Sequence, residues 1–289
     1  MVPDYDESNI TAAVLGSLTN AKSERARHIS EAMVRHLHAF IREIEPTEAE
    51  WMAGIDFLTR TGQMCSQSRQ EFILLSDTLG ASMLVDAINH RLPSGATATT
   101  VLGPFYTPPP EFGDGDDMSN ELEGAPLFIE GSVASVSGER LAGALVDIWH
   151  CDSEGFYDLQ QPTGIDVLSG RGRFRTQADG SFHLWTVRPT AYPIPADGPV
   201  GEMLAVQGRH PFRPEHVHFR VEAPGHHELV THLFARGDDW LLSDVVFGVK
   251  DALIRSFEQH EGGIARDGRV MDGTWFTLRA DFGLAPATK

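Results

Sequence analysis

Residues 172–185 read Gly-Arg-Phe-Arg-Thr-Gln-Ala-Asp-Gly-Ser-Phe-His-Leu-Trp. Apolar and polar residues alternate from Gly172 to Thr176 and again from Ser181 to Trp185, the period of a strand with one face in a core. Asp179-Gly180 sits between them, a pair that tolerates positive φ and signals a tight turn, so the stretch predicts a β-hairpin. Similar short runs follow outward from it: Leu127-Phe128-Ile129, Ala144 to Trp149, His216 to Val221, Glu228 to Ala235 and Thr274 to Leu278. Regularly spaced strands between turns predict an antiparallel sandwich or barrel. Val245 to His260 fits helix and strand alike.

The first 90 residues have a different texture. Ile29, Met33, Leu37, Phe40 and Ile44 step by 4, 4, 3 and 4, which is one helix face. Glu45-Pro46 ends that helix. Thr47 with Glu50 forms a capping box for a second helix carrying Trp51, Met52, Ile55 and Leu58 and closing near Gly62. A third segment, from about Ser66 to Arg91, holds Phe72, Leu75, Leu79 and Leu84. From Leu92 to Pro126 Pro and Gly are too dense for a long helix, yet Val101, Leu102, Phe105 and Tyr106 are too apolar for a free linker. The boundary is therefore expected at Pro93: a helical region over 1–92 and a β domain over 93–289, a mixed α and β fold class. The exposed apolar stripes of the helices exceed what a short bundle buries and predict a C2 homodimer.

The chain has 289 residues, 41% hydrophobic, with 41 acidic against 23 basic side chains and a formal charge of −18. Such a surface repels phosphate backbones and anionic lipid, which argues against nucleic acid and peripheral membrane roles. No apolar run approaches the ~20 residues of a membrane span, so no membrane insertion is expected. Asp4, Asp6 and Glu7 stand where a secretory signal would be basic. Two cysteines, Cys65 and Cys151, far apart, fit free thiols in a reducing cytoplasm.

Chemistry concentrates at His216-Val217-His218. On a strand, residues two apart share a face, so both imidazoles can reach one metal ion. A pair of hydrogen-bonded histidines accounts for the motif equally well. Of four tyrosines, Tyr157 follows a predicted strand in Gly155-Phe156-Tyr157-Asp158, and Tyr192 lies in Tyr192-Pro193-Ile194-Pro195. Each taken alone reads as a rim aromatic with its hydroxyl on a carbonyl. Taken together, two phenolates and two imidazoles would suit a hard, highly charged ion such as ferric iron.

The segments Val146 to Asp152, Gly155-Phe156-Tyr157, Tyr192 to Pro195 and Arg213 to Phe219, with Leu102-Gly103-Pro104-Phe105-Tyr106 upstream, resemble the intradiol ring-cleavage dioxygenases. The resemblance runs from about Phe72 to the C-terminus. The helical N-terminus is similar to the dimerisation region of the catechol and hydroxyquinol branches. It implies one non-haem Fe(III) per subunit, held by Tyr157, Tyr192, His216 and His218, with Tyr192 also acting as a base and Arg213 as the catalytic cation beside the metal. It implies substrate-binding walls from Leu74 and Asp77 on the helical side. Val101, Leu102, Gly103, Pro104, Phe105, Ile194, Pro195, Arg213 and Val246 would be further walls. Asp77 would accept a hydrogen bond from an additional ring hydroxyl, or be a plain helix-surface acid. Val230 to Lys250 looks most like the hydroxyquinol branch, because catechol enzymes usually carry glutamine where His232 stands. The implied reaction cleaves benzene-1,2,4-triol with dioxygen to 3-hydroxy-cis,cis-muconate (tautomer maleylacetate), with catechol or a substituted catechol as the alternative. A phospholipid in the dimer interface is implied as well.

Two other readings compete. His216, His218 and Glu222 have the spacing of a first cupin motif, but no second motif follows and Tyr157, Tyr192 and Arg213 go unexplained. Gly131 to Pro189 resembles transthyretin-like binding modules, which have no use for two tyrosines and two histidines at these positions.

Overall fold

The computed structural model describes residues 4–66, 69–160 and 168–287. Two compact units result, Met1–Arg60 and Thr61–Lys289. The first holds α1 (Ile10–Gly16), α2 (Glu24–Ile44) and most of α3 (Glu48–Gln63). Ser23 caps α2 by accepting from Ala26 N at 3.1 Å, and Glu45 ends it in the left-handed region at φ 43°. The capping box forms as expected: Thr47 N donates to Glu50 Oε2 at 2.8 Å and Glu50 N to Thr47 Oγ1 at 3.2 Å. Met33, Phe40 and Trp51 each keep more than half of their surface exposed, at 62%, 54% and 55%.

The third helical segment is two helices, not one: α4 (Glu71–Thr78) and α5 (Ala81–Asn89), parted at Gly80 with φ 72°. Both belong to the second compact unit, so compactness divides the chain at 60/61 rather than at Pro93. The reason is local packing. Leu74, Leu75 and Asp77 are buried, Glu71 accepts from Val200 N at 3.2 Å, and Arg209 donates to Thr78 O at 2.7 Å.

The β domain stacks a four-stranded sheet on a five-stranded one. The first contains β1 (Pro126–Ser135), β4 (Ser181–Val187), β10 (Phe257–Ile264) and β11 (Val270–Leu284), in the order β10-β11-β1-β4. The second runs β3 (Arg171–Arg175), β2 (Leu145–Trp149), β7 (His216–Glu222), β8 (Leu229–Ala235) and β9 (Ile254–Arg255). A two-residue ribbon pairs β5 (Tyr192–Pro193) with β6 (Phe212–Arg213), and α6 (Pro199–Val206) lies between them in sequence. Pairing is mostly antiparallel, with β1–β11 and β8–β9 parallel. The ambiguous Val245–His260 region becomes irregular chain, a 3-10 turn at Asp251–Leu253 and the start of β10.

The Asp179-Gly180 hairpin does not form as a hairpin. β3 pairs with β2 and β4 pairs with β1, so the turn crosses from one sheet to the other. Gly180 takes φ 77° and its carbonyl accepts from Val133 N at 2.9 Å, which ties the corner to β1. Local sequence specifies the turn; inter-sheet burial of Phe174 and Phe182 decides where its two arms go. Between the sheets lie Leu127, Ile129 and Val133 of β1, Val146 and Ile148 of β2, and Val217, Phe219 and Val221 of β7.

The parallel β1–β11 contact is tight at Gly131, which pairs with Ala280. A Cβ on Gly131 would lie 1.8 Å from Ala280 O. Gly131→Ala should lower stability by about 3 kcal/mol, read as a lower denaturant midpoint. Gly16→Ala, in open space on α1, should leave the midpoint equal or slightly higher. Equal midpoints for both variants would refute the close-packed pairing.

Candidate metal centre and substrate cleft

Alternation along β7 builds the centre. Val217, Phe219 and Val221 enter the sandwich, so His216 and His218 project from the opposite face of the sheet. On that outer face Phe105, Trp149, Cys151, Tyr157 and Tyr192 form a separate buried cluster. Trp149 stacks on His218 at 4.6 Å, and Phe105 stacks on Tyr157 at 4.5 Å. A tight turn aims Tyr157: the Asp152 carboxylate accepts from Glu154 N and Phe156 N, both at 2.9 Å, and Tyr157 N donates to Gln160 Oε1 at 2.9 Å. Gly155, at φ 93°, gives Tyr192 its room, since a Cβ there would meet Tyr192 Cβ at 2.7 Å. Tyr192 faces Arg213 across the β5–β6 ribbon.

The four expected ligands converge. Tyr157 Oη lies 2.8 Å from His218 Nε2 and 3.3 Å from Tyr192 Oη, and His218 Nε2 lies 3.2 Å from His216 Nε2. All four side chains are buried. His216 Nδ1 donates to Pro214 O at 2.7 Å, which leaves Nε2 with its lone pair toward the cluster, the orientation a metal-binding imidazole needs. Without a cation the cluster is electrostatically frustrated. Burial, and then Tyr192, drives the Tyr157 phenol well above its ordinary value; burial raises Tyr192, with Arg213 opposing. Burial pushes His216, His218 and His232 well below the usual imidazole range, so they are uncharged. Neutral imidazoles and phenols primed beside an arginine fit a multivalent cation, which would turn each cost into a bond. His232 joins the group, its nitrogen within 4.8 Å of those of His216 and His218.

Arg213 is buried and its Nη1 lies 3.1 Å from His216 Nε2. Its counterion is Asp244, 3.2 Å from Nε and itself held by Gly248 N at 2.9 Å. No local signal in Ser243-Asp244-Val245 announces that role; the sequence reading missed it. It missed equally the fully buried Glu71 and the contact of His232 with Thr100.

A cleft of about 600 Å³ opens beside the cluster. Leu74, Pro104, Phe105, Ile194 and Pro195 line it, as expected, together with Glu71. Asp77, Val101, Leu102, Gly103, Arg213 and Val246 do not line it, and neither do Tyr157, Tyr192, His216 or His218. Gly103 instead abuts the metal-side imidazole: a Cβ on it would stand 3.4 Å from His218 Cε1. Val246 is buried and donates its N–H to Asp244 at 3.4 Å. Asp77 is buried too, so it is no surface acid. It shares its helix face with Leu74, one turn back.

Comparison with known proteins agrees with this geometry. A "Dioxygenase" family model matches residues 103–279 and a "Catechol dioxygenase N terminus" model matches 23–97. The chain belongs to the intradiol ring-cleavage dioxygenases. It is 49% identical over 284 residues to a 6-chlorohydroxyquinol 1,2-dioxygenase of Cupriavidus pinatubonensis, covering 98% of this chain and 99% of that protein. It is 44% identical to a hydroxyquinol 1,2-dioxygenase of Nocardioides simplex, covering 97% and 96%. The crystal structure of hydroxyquinol 1,2-dioxygenase from Pseudomonas putida DLL-E4 superposes with a TM-score of 0.90 at 44% identity, covering 97% and 99% of the two chains. Membership makes this chain an oxidoreductase and implies non-haem iron; it leaves the cupin and binding-module readings without support.

Burial raises the Asp77 carboxyl above its ordinary value, against the Ser82 hydrogen bond and the Arg213 charge. The native state therefore holds that proton more tightly than the unfolded chain, and stability falls as pH rises from the ordinary carboxylate value through the raised one. Asp77→Asn should be more stable than the parent at neutral pH, the difference closing in acid below both values. Denaturation midpoints against pH would show it, and a neutral-pH midpoint below that of the parent would refute it.

Proposed function

We propose that this chain cleaves benzene-1,2,4-triol (hydroxyquinol) between its two adjacent hydroxyl carbons, inserting both atoms of dioxygen to give 3-hydroxy-cis,cis-muconate, the tautomer of maleylacetate. The convergence of two phenols and two imidazoles within 3.3 Å steps carries the reading. The proposed ligands are Tyr157, Tyr192, His216 and His218, holding one Fe(III) per subunit. Bound there, ferric iron supplies Lewis acidity and redox mixing with the diol.

The chain's own residues do the rest. Leu74, Pro104, Phe105, Ile194 and Pro195 clasp the ring and exclude water. Tyr192 Oη, once held as a phenolate, would take the proton from one substrate hydroxyl; burial raises its proton affinity and Arg213 opposes that rise. Arg213, whose Nη2 has no partner among the described residues, offers a fixed positive charge to negative charge developing on the ring. Val101, Leu102, Gly103 and Val246 back the walls, and Asp77 accepts from the third hydroxyl. The names of the relatives at 44–49% identity support the triol as substrate, with a chlorinated triol beside it. Catechol remains the second reading, supported by the 29% identical catechol 1,2-dioxygenase structure from Pseudomonas arvilla C-1, TM-score 0.84.

The half-exposed apolar stripe of α2 and α3 supports a homodimer, with phospholipid as a further occupant. No helix of the described residues is long and apolar enough to cross a membrane, and the free thiols Cys65 and Cys151 support a cytoplasmic location.

Purified in air, the protein should show a visible tyrosinate-to-Fe(III) band that shifts when the triol is added without oxygen. A colourless protein with full iron loading would overturn the site. Specificity measurements should favour the triol over catechol, and Asp77→Ala, which removes the acceptor that Asn would keep, should cut that preference about tenfold, the worth of one lost hydrogen bond. Light scattering should give twice 31.7 kDa. Leu37→Glu with Phe40→Glu should yield monomer, and solvent extraction followed by mass spectrometry should release lipid from the dimer. A monomeric parent or an empty extract would remove the corresponding partner.

A further inference from the structure

Arg213 is a buried cation with one carboxylate anchor among the described residues. Its Nε lies 3.2 Å from Asp244 Oδ1, and both residues are nearly sealed from solvent, at 4% each. Its Nη2 has no partner among the described residues. Its other polar neighbours are His216, whose Nε2 is 3.1 Å from Nη1, and the Tyr192 hydroxyl. Both are proposed metal ligands. Asp244 is therefore the anchor whose bond to the guanidinium a bound metal would not compete for.

Asp244 is itself held on several sides. Its Oδ1 also accepts from Val246 N at 3.4 Å, its Oδ2 accepts from Gly248 N at 2.9 Å, and its carbonyl accepts from Phe247 N at 2.9 Å. The turn closed by these bonds keeps Phe247 at φ 59°, a conformation that a bulky side chain holds only where its surroundings impose it. Arg209 is part of those surroundings. It donates from Nη2 to Val245 O at 2.9 Å and from Nη1 to Thr78 O, at the end of α4, at 2.7 Å. Its guanidinium carbon stands 5.0 Å from the centre of the Phe247 ring. Gly248 leaves room for the ion pair, since a Cβ there would stand 3.2 Å from both Arg213 Nη2 and Asp244 Oδ2.

We propose that Asp244 is a positioning residue for ring cleavage: it sets the direction of the Arg213 guanidinium through Nε, and the Val245–Gly248 turn, clamped to α4 by Arg209, fixes Asp244. A planar guanidinium bonded at Nε to an immobile carboxylate loses rotation about its last side-chain bonds, so both Nη groups keep one direction. The inference rests on the reading that Arg213 stabilises charge developing on the substrate ring. Asp244 does not line the cleft of about 600 Å³, so its effect on the reaction passes through Arg213. It does border a separate cavity of about 440 Å³, together with Arg209, His210 and the exposed Leu242, which is wide enough to admit formate.

The test compares iron-loaded parent, Asp244→Ala, Arg213→Gln and the double variant on the triol, with kcat and KM separated. Asp244→Ala should keep its iron and lose about tenfold or more in kcat, with KM changed far less. Added formate, replacing the missing carboxylate from the cavity, should recover part of that loss. In the Arg213→Gln background Asp244→Ala should bring no further loss and no response to formate. A parent-like kcat in Asp244→Ala would overturn the proposal. So would a loss of the same size in both backgrounds that formate does not relieve, the mark of a merely structural acid. If Asp244→Ala does not fold, Asp244→Asn carries the comparison. Its amide has one acceptor where the carboxylate uses two, so kcat should again fall about tenfold, and a parent-like value would overturn the proposal. A parent with neither the charge-transfer band nor turnover of the triol would instead overturn the proposed function, and this inference with it.

Discussion

The two-residue period of β7 is the constraint on which the rest depends. Val217, Phe219 and Val221 are needed between the sheets, and burying them forces His216 and His218 onto the opposite face. A slip of one residue would put imidazoles in the apolar core and valines at the proposed metal centre. Core packing and site geometry are thus one requirement, and the hydrophobic energy of the sandwich holds the ligand register. The tyrosines are brought to that face by irregular chain, Tyr157 by the Asp152 turn and Tyr192 by the β5–β6 ribbon. Precision therefore comes from the strand, and reach comes from the loops.

Around those side chains the fold buries an unusual number of titratable groups, a cost that a bound cation would offset. Two phenols, three imidazoles, a guanidinium and a carboxylate are all buried in a small volume. Desolvation disfavours every phenolate and imidazolium there. Arg213 stays charged because Asp244 stands beside it, and Asp244 in turn is held by the Gly248 N–H. This chain of dependence reaches from the ring-facing guanidinium to a loop after β8 that no local pattern marks. Buried ion pairs seldom add net stability; here the pair keeps a positive charge beside the buried histidines.

The local sequence carried a large part of the structure. The 4-4-3-4 stripe of Ile29 to Ile44, the Thr47–Glu50 box and the alternating strands each became the expected element. These are signals set by neighbours in sequence, where propensity and periodicity act directly. Where expectation and structure part, a distant partner decides. Gly80, at φ 72°, breaks one expected helix into two, with Leu74 and Leu75 of α4 buried while the chain turns toward α5. The Asp179-Gly180 turn is locally right, but β3 and β4 find partners in different sheets.

By itself, the sequence determined the element types, the shared face of His216 and His218, and the unusual pair of tyrosines, because each depends on spacing along the chain. Only the tertiary structure decided that four donor atoms meet within 3.3 Å steps, that Asp244 neutralises Arg213, and that His232 lies opposite His218 across β7–β8. Apart from His216–His218, those contacts join residues separated by 14 to 61 positions, from His218–His232 to Tyr157–His218. Chain distance of that order leaves no periodic trace; only the packing of two sheets and the straps over them brings such groups together.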